Sequence, residues 1–166
     1  MIKILFICHG NICRSPMAEF IMKDLVRRKG LADRFRIASA ATSTEEIWNG
    51  VGSPIYPPAK AEMRRHGIPF DENKRARLLV PEDYDRFDLL IGMDERNRRS
   101  MRRLFPNDPE AKINLLLDYT DKPREISDPW YTGDFPGVFR EIEEGCLALL
   151  HTLTEETDLT LRADER

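Results

Sequence analysis

The alternation of apolar and polar positions divides the chain into strand-like and helix-like stretches. Lys3-Ile4-Leu5-Phe6-Ile7-Cys8 is a compact apolar run of strand formers, and it predicts a buried strand. A polar loop follows. Pro16 then stands where a first helical residue is favoured, since its missing N–H needs no partner there. Met17, Ile21 and Leu25 recur at helical spacing, with Glu19, Lys23, Asp24, Arg27 and Arg28 on other faces and Gly30 as the stop. Phe35 to Ser39 predicts a weaker strand. The stretch from Ala40 to Pro58, with Gly50, Gly52, Pro54, Pro57 and Pro58, reads as a loop. A helix over Ala59–His66 ends at Gly67. Phe87 to Met93 predicts a strand, and Asp94 is a suitable N-cap for an arginine-rich helix behind it. Lys112 to Leu117 is the fourth strand, and Thr120 to Gly137 is loop-like. Phe139, Ile142, Cys146, Leu149, Leu150 and Leu153 give a last amphipathic helix, followed by a polar tail over 154–166 expected to fray.

Strands alternating with helices imply an α/β fold: a single open, mostly parallel four-stranded sheet with helices on both faces, over residues 1–153. Such sheets bind ligands beyond the carboxyl ends of their strands, where the first strand delivers Cys8.

Composition narrows the function. The 166 residues suit one domain, and 41% hydrophobic content is that of a globular chain. A net charge of −3 gives no reason to expect a nucleic-acid partner. Arg96, Arg98, Arg99, Arg102 and Arg103 do cluster; the plain reading is a solvated helix face, the sharper one an attraction for acidic substrates. The opening apolar run is too short to insert into a membrane and lacks a signal-peptide layout, so a cytoplasmic location is expected. Three cysteines do not make a disulfide framework.

The segment Cys8-His9-Gly10-Asn11-Ile12-Cys13-Arg14-Ser15 joins the first strand to the first helix. Backbone N–H groups of a tight loop at a helix start converge on one point, which suits an anion. The same dipoles favour a cysteine thiolate facing that point, making it a nucleophile. Arg14 offers a planar fork for two phosphate oxygens. Ser15 can donate to the sulfur, and Gly10 and Asn11 tolerate left-handed backbone. Cysteine, five residues and arginine is by itself a weak pattern, equally satisfied by a buried strand residue and a surface charge. Its placement between strand and helix, with Gly, Asn and Ser inside, is what favours a phosphate cradle.

At this point the chain resembles the low-molecular-weight protein-tyrosine phosphatases. Cys8 to Ala18, C-H-G-N-I-C-R-S-P-M-A, looks like their signature. Ser39-Ala40-Ala41-Thr42-Ser43, Arg65-His66-Gly67-Ile68-Pro69, Met93-Asp94-Glu95 with Asn97, and Asp128-Pro129-Trp130-Tyr131 are similar in the same order. The resemblance implies a protein-tyrosine phosphatase that needs no metal or cofactor. It acts on a tyrosine-phosphorylated protein or peptide and releases inorganic phosphate. It also implies Cys8 as nucleophile, Arg14 as phosphate clamp and Asp128 as general acid and base, although Asp128 before a proline also suits a plain turn. Trp130 and Tyr131 match one wall of the substrate cleft; Trp48 and Asn49 resemble the other, with core packing the alternative for Trp48. Asn11, Ser15, Ser39 and Asp94 match supporting positions, and capping explains Asp94 as well. Cys13 is suggested as a reversible disulfide partner of Cys8, or else an inert buried thiol; Cys146 reads as core.

The chain departs from the family pattern in four places. The stretch from Thr44 to Val51 is longer, Tyr56 and Pro58 replace a charged Asp and Arg, and Lys74 stands where a supporting histidine is common. Rival readings share the fold. Arsenate reduction would need two further relay cysteines, which Cys146 in a late helix does not supply. Phosphoarginine hydrolysis goes with threonine at the place of Ile12. A phosphate-binding module would lack the nucleophile or the acid. Nucleotide binding of the Gly-x-Gly-x-x-Gly type lacks its glycines after the first strand.

Overall fold

The computed structural model describes residues 1–164, with side chains described through residue 155. Strand β1 (Ile2–Cys8) leads into helix α1 (Arg14–Arg28) and strand β2 (Phe35–Ala41). A small hairpin of β3 (Ile47–Trp48) and β4 (Val51–Gly52) precedes α2 (Pro57–Arg65) and α3 (Asp83–Arg86). Then come β5 (Leu89–Gly92), α4 (Glu95–Leu104), β6 (Ile113–Leu115), α5 (Pro129–Thr132) and α6 (Phe135–Asp164).

The main sheet has the order β2-β1-β5-β6 and every neighbouring pair is parallel. This is the four-stranded open sheet expected from the periodicity. Strand β1 is central, so both of its faces are covered and its residues alternate between two cores. Ile4, Phe6 and Cys8 point into the larger core with α1, α2 and α6. Leu5 and Ile7 point into a second core with Leu90 of β5 and Met101 of α4. Phe6, Ile4, Leu5 and Ile7 are fully buried, each contributing roughly 1.5–3 kcal/mol of hydrophobic stabilisation. That double burial fixes the end of β1, and with it the position of Cys8.

Several boundaries differ from expectation. Helix α1 begins at Arg14, so Pro16 lies within its first turn, where its missing N–H still costs nothing. Glu19 and Asp24 are buried instead of facing solvent, because α1 is covered on more than one side. Asp24 is paired there with Arg27 and Arg28. The prolines 57 and 58 open α2 instead of closing the preceding loop. Within the expected loop, Asn49 and Gly50 take positive φ of 51° and 77°, the turn that a two-residue hairpin requires. Gly52 of this hairpin lies so close to Ala76 that a Cβ would sit 1.9 Å from its carbonyl oxygen, and only glycine fits. Short α3 and α5 also went unpredicted, and α6 starts at Phe135, ahead of Phe139. The backbone of α6 is helical to Asp164, whereas the reading of a frayed tail falls largely on side chains outside those described. No described helix is long and apolar enough to cross a membrane.

Candidate active site

The loop from Cys8 to Ser15 caps the carboxyl end of β1. Neighbouring chain anchors its start: Thr42 N donates to the Cys8 carbonyl at 3.0 Å and Ser43 N to that of His9 at 3.1 Å. Asn11 takes a left-handed φ of 59°, bending the loop so that its own N–H lies 3.3 Å from Cys8 Sγ. The residues that shape this bend are almost wholly enclosed, Asn11 at 1% and Ser15 at 0% exposure.

A directional hydrogen-bond chain runs through these side chains, and a carboxylate sets its direction. Glu19 Oε1 can only accept when ionised, so Ser39 Oγ must donate to it, at 2.6 Å. The Ser39 oxygen then accepts from Asn11 Nδ2 at 2.9 Å, and the second proton of that amide goes to Ser15 Oγ at 2.8 Å. Ser15 Oγ lies 3.0 Å from Cys8 Sγ, and its hydroxyl proton is free to be given to the sulfur. Arg77 N donates to Asn11 Oδ1 at 3.2 Å and fixes the amide orientation. The group thereby offers the Cys8 sulfur two donors, the Ser15 hydroxyl and the Asn11 N–H. Sequence reasoning picked out Asn11, Ser15 and Ser39 but missed Glu19, which the helical pattern placed among outward residues. Lys74, at the position of the missing histidine, reaches this group: Nζ is 3.7 Å from Glu19 Oε1 and 3.4 Å from the Ser39 carbonyl. Burial pushes its pKa below that of an ordinary lysine, with Glu19 opposing the shift.

Arg14 is 2% exposed and is held on one side by two acceptors, Asp94 Oδ2 at 2.7 Å and the Ile126 carbonyl at 2.8 Å, both through NH1. Burial works against its charge, but Cys8, Asp94 and Asp128 outweigh it and hold the guanidinium pKa above its ordinary value. Asp94 has two duties. Its Oδ1 accepts from Asn97 N at 2.9 Å to cap α4, while Oδ2 orients Arg14. Asp94 thus caps α4 and contacts Arg14 at the same time. The Ile126 carbonyl has no side-chain signature, and nothing in the sequence pointed to it.

Asp128 approaches from the far end of the chain. Its Oδ2 lies 3.6 Å from Arg14 NH2, and its Oδ1 accepts from Trp130 N at 3.0 Å, capping α5 with Pro129 as first residue. Cys8, Cys13, Arg14, Asp128, Trp130 and Tyr131 thus border one cleft of about 130 Å³. His9, Gly10 and Ile12 complete its floor.

The walls are partly as expected. Trp130 and Tyr131 line the cleft, but Trp48 and Asn49 do not; Glu45 and Glu46 of the same stretch border it instead. Trp48 lies in the hairpin at 73% exposure, paired across it with Val51, so it is not a core residue either. Tyr56 packs behind Trp130 with ring centroids 4.9 Å apart, and on its other side 6.0 Å from Phe135. The tyrosine in place of a charged residue therefore serves as a backing for the wall. Tyr56→Ala should let Trp130 swing, raising KM for a phosphotyrosyl peptide several-fold, roughly the 0.5–1.5 kcal/mol of one aromatic pair. Inhibition by inorganic phosphate, which does not reach the wall, should stay unchanged.

Three thiols are unpaired: Cys8, Cys13 and Cys146. Burial, with the charges of Cys8 and Asp128, pushes the Cys13 thiol well above its ordinary pKa, and burial does the same to Cys146. Both stay protonated at neutral pH and should resist iodoacetamide in the folded protein. Mass-spectrometric mapping after brief alkylation should find the label on Cys8 and recover Cys13 and Cys146 unmodified. Among the described residues, no group of three or more His, Cys, Asp or Glu is placed to hold a metal ion.

Comparisons with known proteins identify the family. The family model described as low molecular weight phosphotyrosine protein phosphatase matches residues 3–159. The low molecular weight protein-tyrosine-phosphatase YfkJ of Bacillus subtilis is 39% identical over 161 residues, covering 96% of this chain and all of that one. The human low molecular weight phosphotyrosine protein phosphatase is 39% identical over 153 residues, covering 89% of this chain and 93% of that one. The crystal structure of YfkJ superposes with a TM-score of 0.86 over 94% of this chain and 96% of that one, again at 39% identity. A low molecular weight protein tyrosine phosphatase from Streptococcus pyogenes does so with a TM-score of 0.81 at 35% identity, over 92% and 93% of the two chains. The chain belongs to the low molecular weight phosphotyrosine protein phosphatase family.

Proposed function

We propose that this protein hydrolyses phosphotyrosine in protein substrates through a cysteinyl-phosphate intermediate. The observation that carries the reading is the convergence of Cys8, Arg14 and Asp128 on one cleft from residues up to 120 positions apart in sequence. In the first step Cys8 Sγ forms a bond to phosphorus as the bond to the tyrosyl oxygen breaks. Asp128 gives its proton to that oxygen. Oδ1 is engaged by Trp130 N, so the proton is carried on Oδ2, on the side of Arg14. In the second step Asp128 takes a proton from water, the water oxygen bonds to phosphorus, and the S–P bond breaks to release phosphate and the thiolate. The loose transition state spreads charge over the phosphoryl oxygens. We assign its stabilisation to the loop amides and the remaining edge of Arg14, since NH1 is already held by Asp94 and Ile126.

Trp130 and Tyr131 favour a flat phosphorylated ring at the mouth, and Ile12 in the floor supports an aromatic ester over phosphoarginine. We place the catalytic unit in residues 1–153, and the unpaired thiols support a reducing, cytoplasmic setting. The test is steady-state phosphate release from phosphotyrosyl, phosphoarginyl and phosphoseryl peptides in the presence of a chelator. Fast release from phosphotyrosine alone is expected. A preference for phosphoarginine would replace the substrate assignment, and phosphate binding without turnover on any peptide would make the protein a binding module.

A further inference from the structure

The cleft does not end at its floor residues. His9 borders it on one side and on the other borders a second, polar hollow of about 220 Å³. Arg96, Arg99, Ser100 and Arg103 of α4 line this hollow together with Thr42, which follows β2. Their spacing of three and four residues puts the three guanidinium groups on one helix face. Among the described residues none of the three forms an ion pair, whereas the neighbouring Arg98 is neutralised by Glu95 and Asp118. The hollow shares Thr42, Ser100 and Arg103 with a third, more apolar one of about 390 Å³, where Leu78, Leu79 and Leu104 are found. Glu45 and Glu46 also line the cleft, and Glu45 Oε2 lies 2.9 Å from His9 Nε2, so the acidic pair sits beside the loop and the arginines lie beyond His9. In a chain of net charge −3, an uncompensated triad of arginines next to the catalytic mouth is a local exception.

From this we infer that the α4 face is an extended substrate groove that receives an anionic flank of the phosphotyrosyl segment. The inference rests on the phosphatase reading above. With the phosphotyrosine in the cleft, residues on one side of it pass over His9. There Arg96, Arg99 and Arg103 meet carboxylate or phosphorylated side chains, and the leucine-lined end accepts an apolar one. Solvent-exposed ion pairs are individually weak, so selectivity comes from the three acting together and from faster encounter.

The test compares kcat/KM for phosphotyrosyl peptides with neutral, Glu/Asp-rich or second-phosphotyrosine flanks, placed before or after the target residue. A small aryl phosphate, which reaches only the cleft, serves as control. An anionic flank on one side should raise kcat/KM about tenfold at low ionic strength and lose that advantage as salt is added. The triple variant Arg96→Gln, Arg99→Gln, Arg103→Gln should abolish the gain while leaving the aryl phosphate and the neutral peptide unchanged. Carboxylate and phosphate flanks tell the two kinds of anion apart. Equal kcat/KM for neutral and anionic peptides, with aryl phosphate cleaved normally, would overturn the groove alone. Failure to cleave aryl phosphate would overturn the phosphatase reading and the groove with it.

Discussion

Cys8→Ser is expected to abolish phosphotyrosine hydrolysis, with a loss on the order of 10⁴-fold or more in kcat. A serine hydroxyl at this position would not be ionised by hydrogen bonds that suffice for a thiol. The Ser15 hydroxyl 3.0 Å from Cys8 Sγ and the Asn11 N–H at 3.3 Å can donate to a thiolate, but stabilising an alkoxide lies far beyond their reach. The cradle itself should survive, because the chain from Glu19 through Ser39 and Asn11 to Ser15 does not depend on the sulfur. Phosphate titration of the variant by calorimetry should therefore still show binding. Residual turnover at the wild-type rate would remove Cys8 from the nucleophile role. Lost binding together with lost turnover would mean that the sulfur is structural.

Asp128→Asn separates two duties that one carboxyl group performs. Asparagine is as good an N-cap as aspartate, so the bond from Trp130 N and the short helix behind it should be kept, while the transferable proton is removed. kcat for phosphotyrosine should fall roughly 10²–10⁴-fold, the range for a positioned general acid. The loss should be far smaller for an aryl ester whose leaving group is already stable as an anion. Asp128→Ala removes the cap as well, and should add a loss of stability of about 1 kcal/mol that thermal unfolding will register. If both substrates suffer equally in the Asn variant, Asp128 positions the site without donating a proton.

Most of the frame was legible because it is written in side chains at regular spacing. The run Ile4–Ile7 must be a strand covered on both faces, and Asp94 followed by Asn97 three residues later is a capping pattern for α4. Where the sequence misled, a different kind of information was at work. Glu19 looks like a solvent residue on a helix, and only packing on more than one side of α1 turns it into the terminus of a buried network. The carbonyl of Ile126 is present in every residue type, so no letter announces that it will grip Arg14. The hairpin did carry a signal, Asn49-Gly50, but the glycines and prolines around it outweighed a strand pairing of only two residues on each side. Trp48 was assigned to the cleft by likeness to a Trp-Asn pair, and in this longer stretch Glu45 and Glu46 occupy the rim instead.

The anchoring of Arg14 has a consequence for how the protein comes into being. Its two partners on NH1 lie 80 and 112 residues further along the chain. A ribosome-bound chain that has emerged only through β2 already contains the nucleophile and the arginine, yet has neither Asp94 nor Ile126 with which to orient the guanidinium. The reactive centre thus comes into existence late, after β5 and the segment beyond β6 have docked, although its signature precedes both in the chain. Recovery of activity after dilution from denaturant should for the same reason trail the recovery of helical circular dichroism, making catalysis a reporter of the last long-range contacts to form.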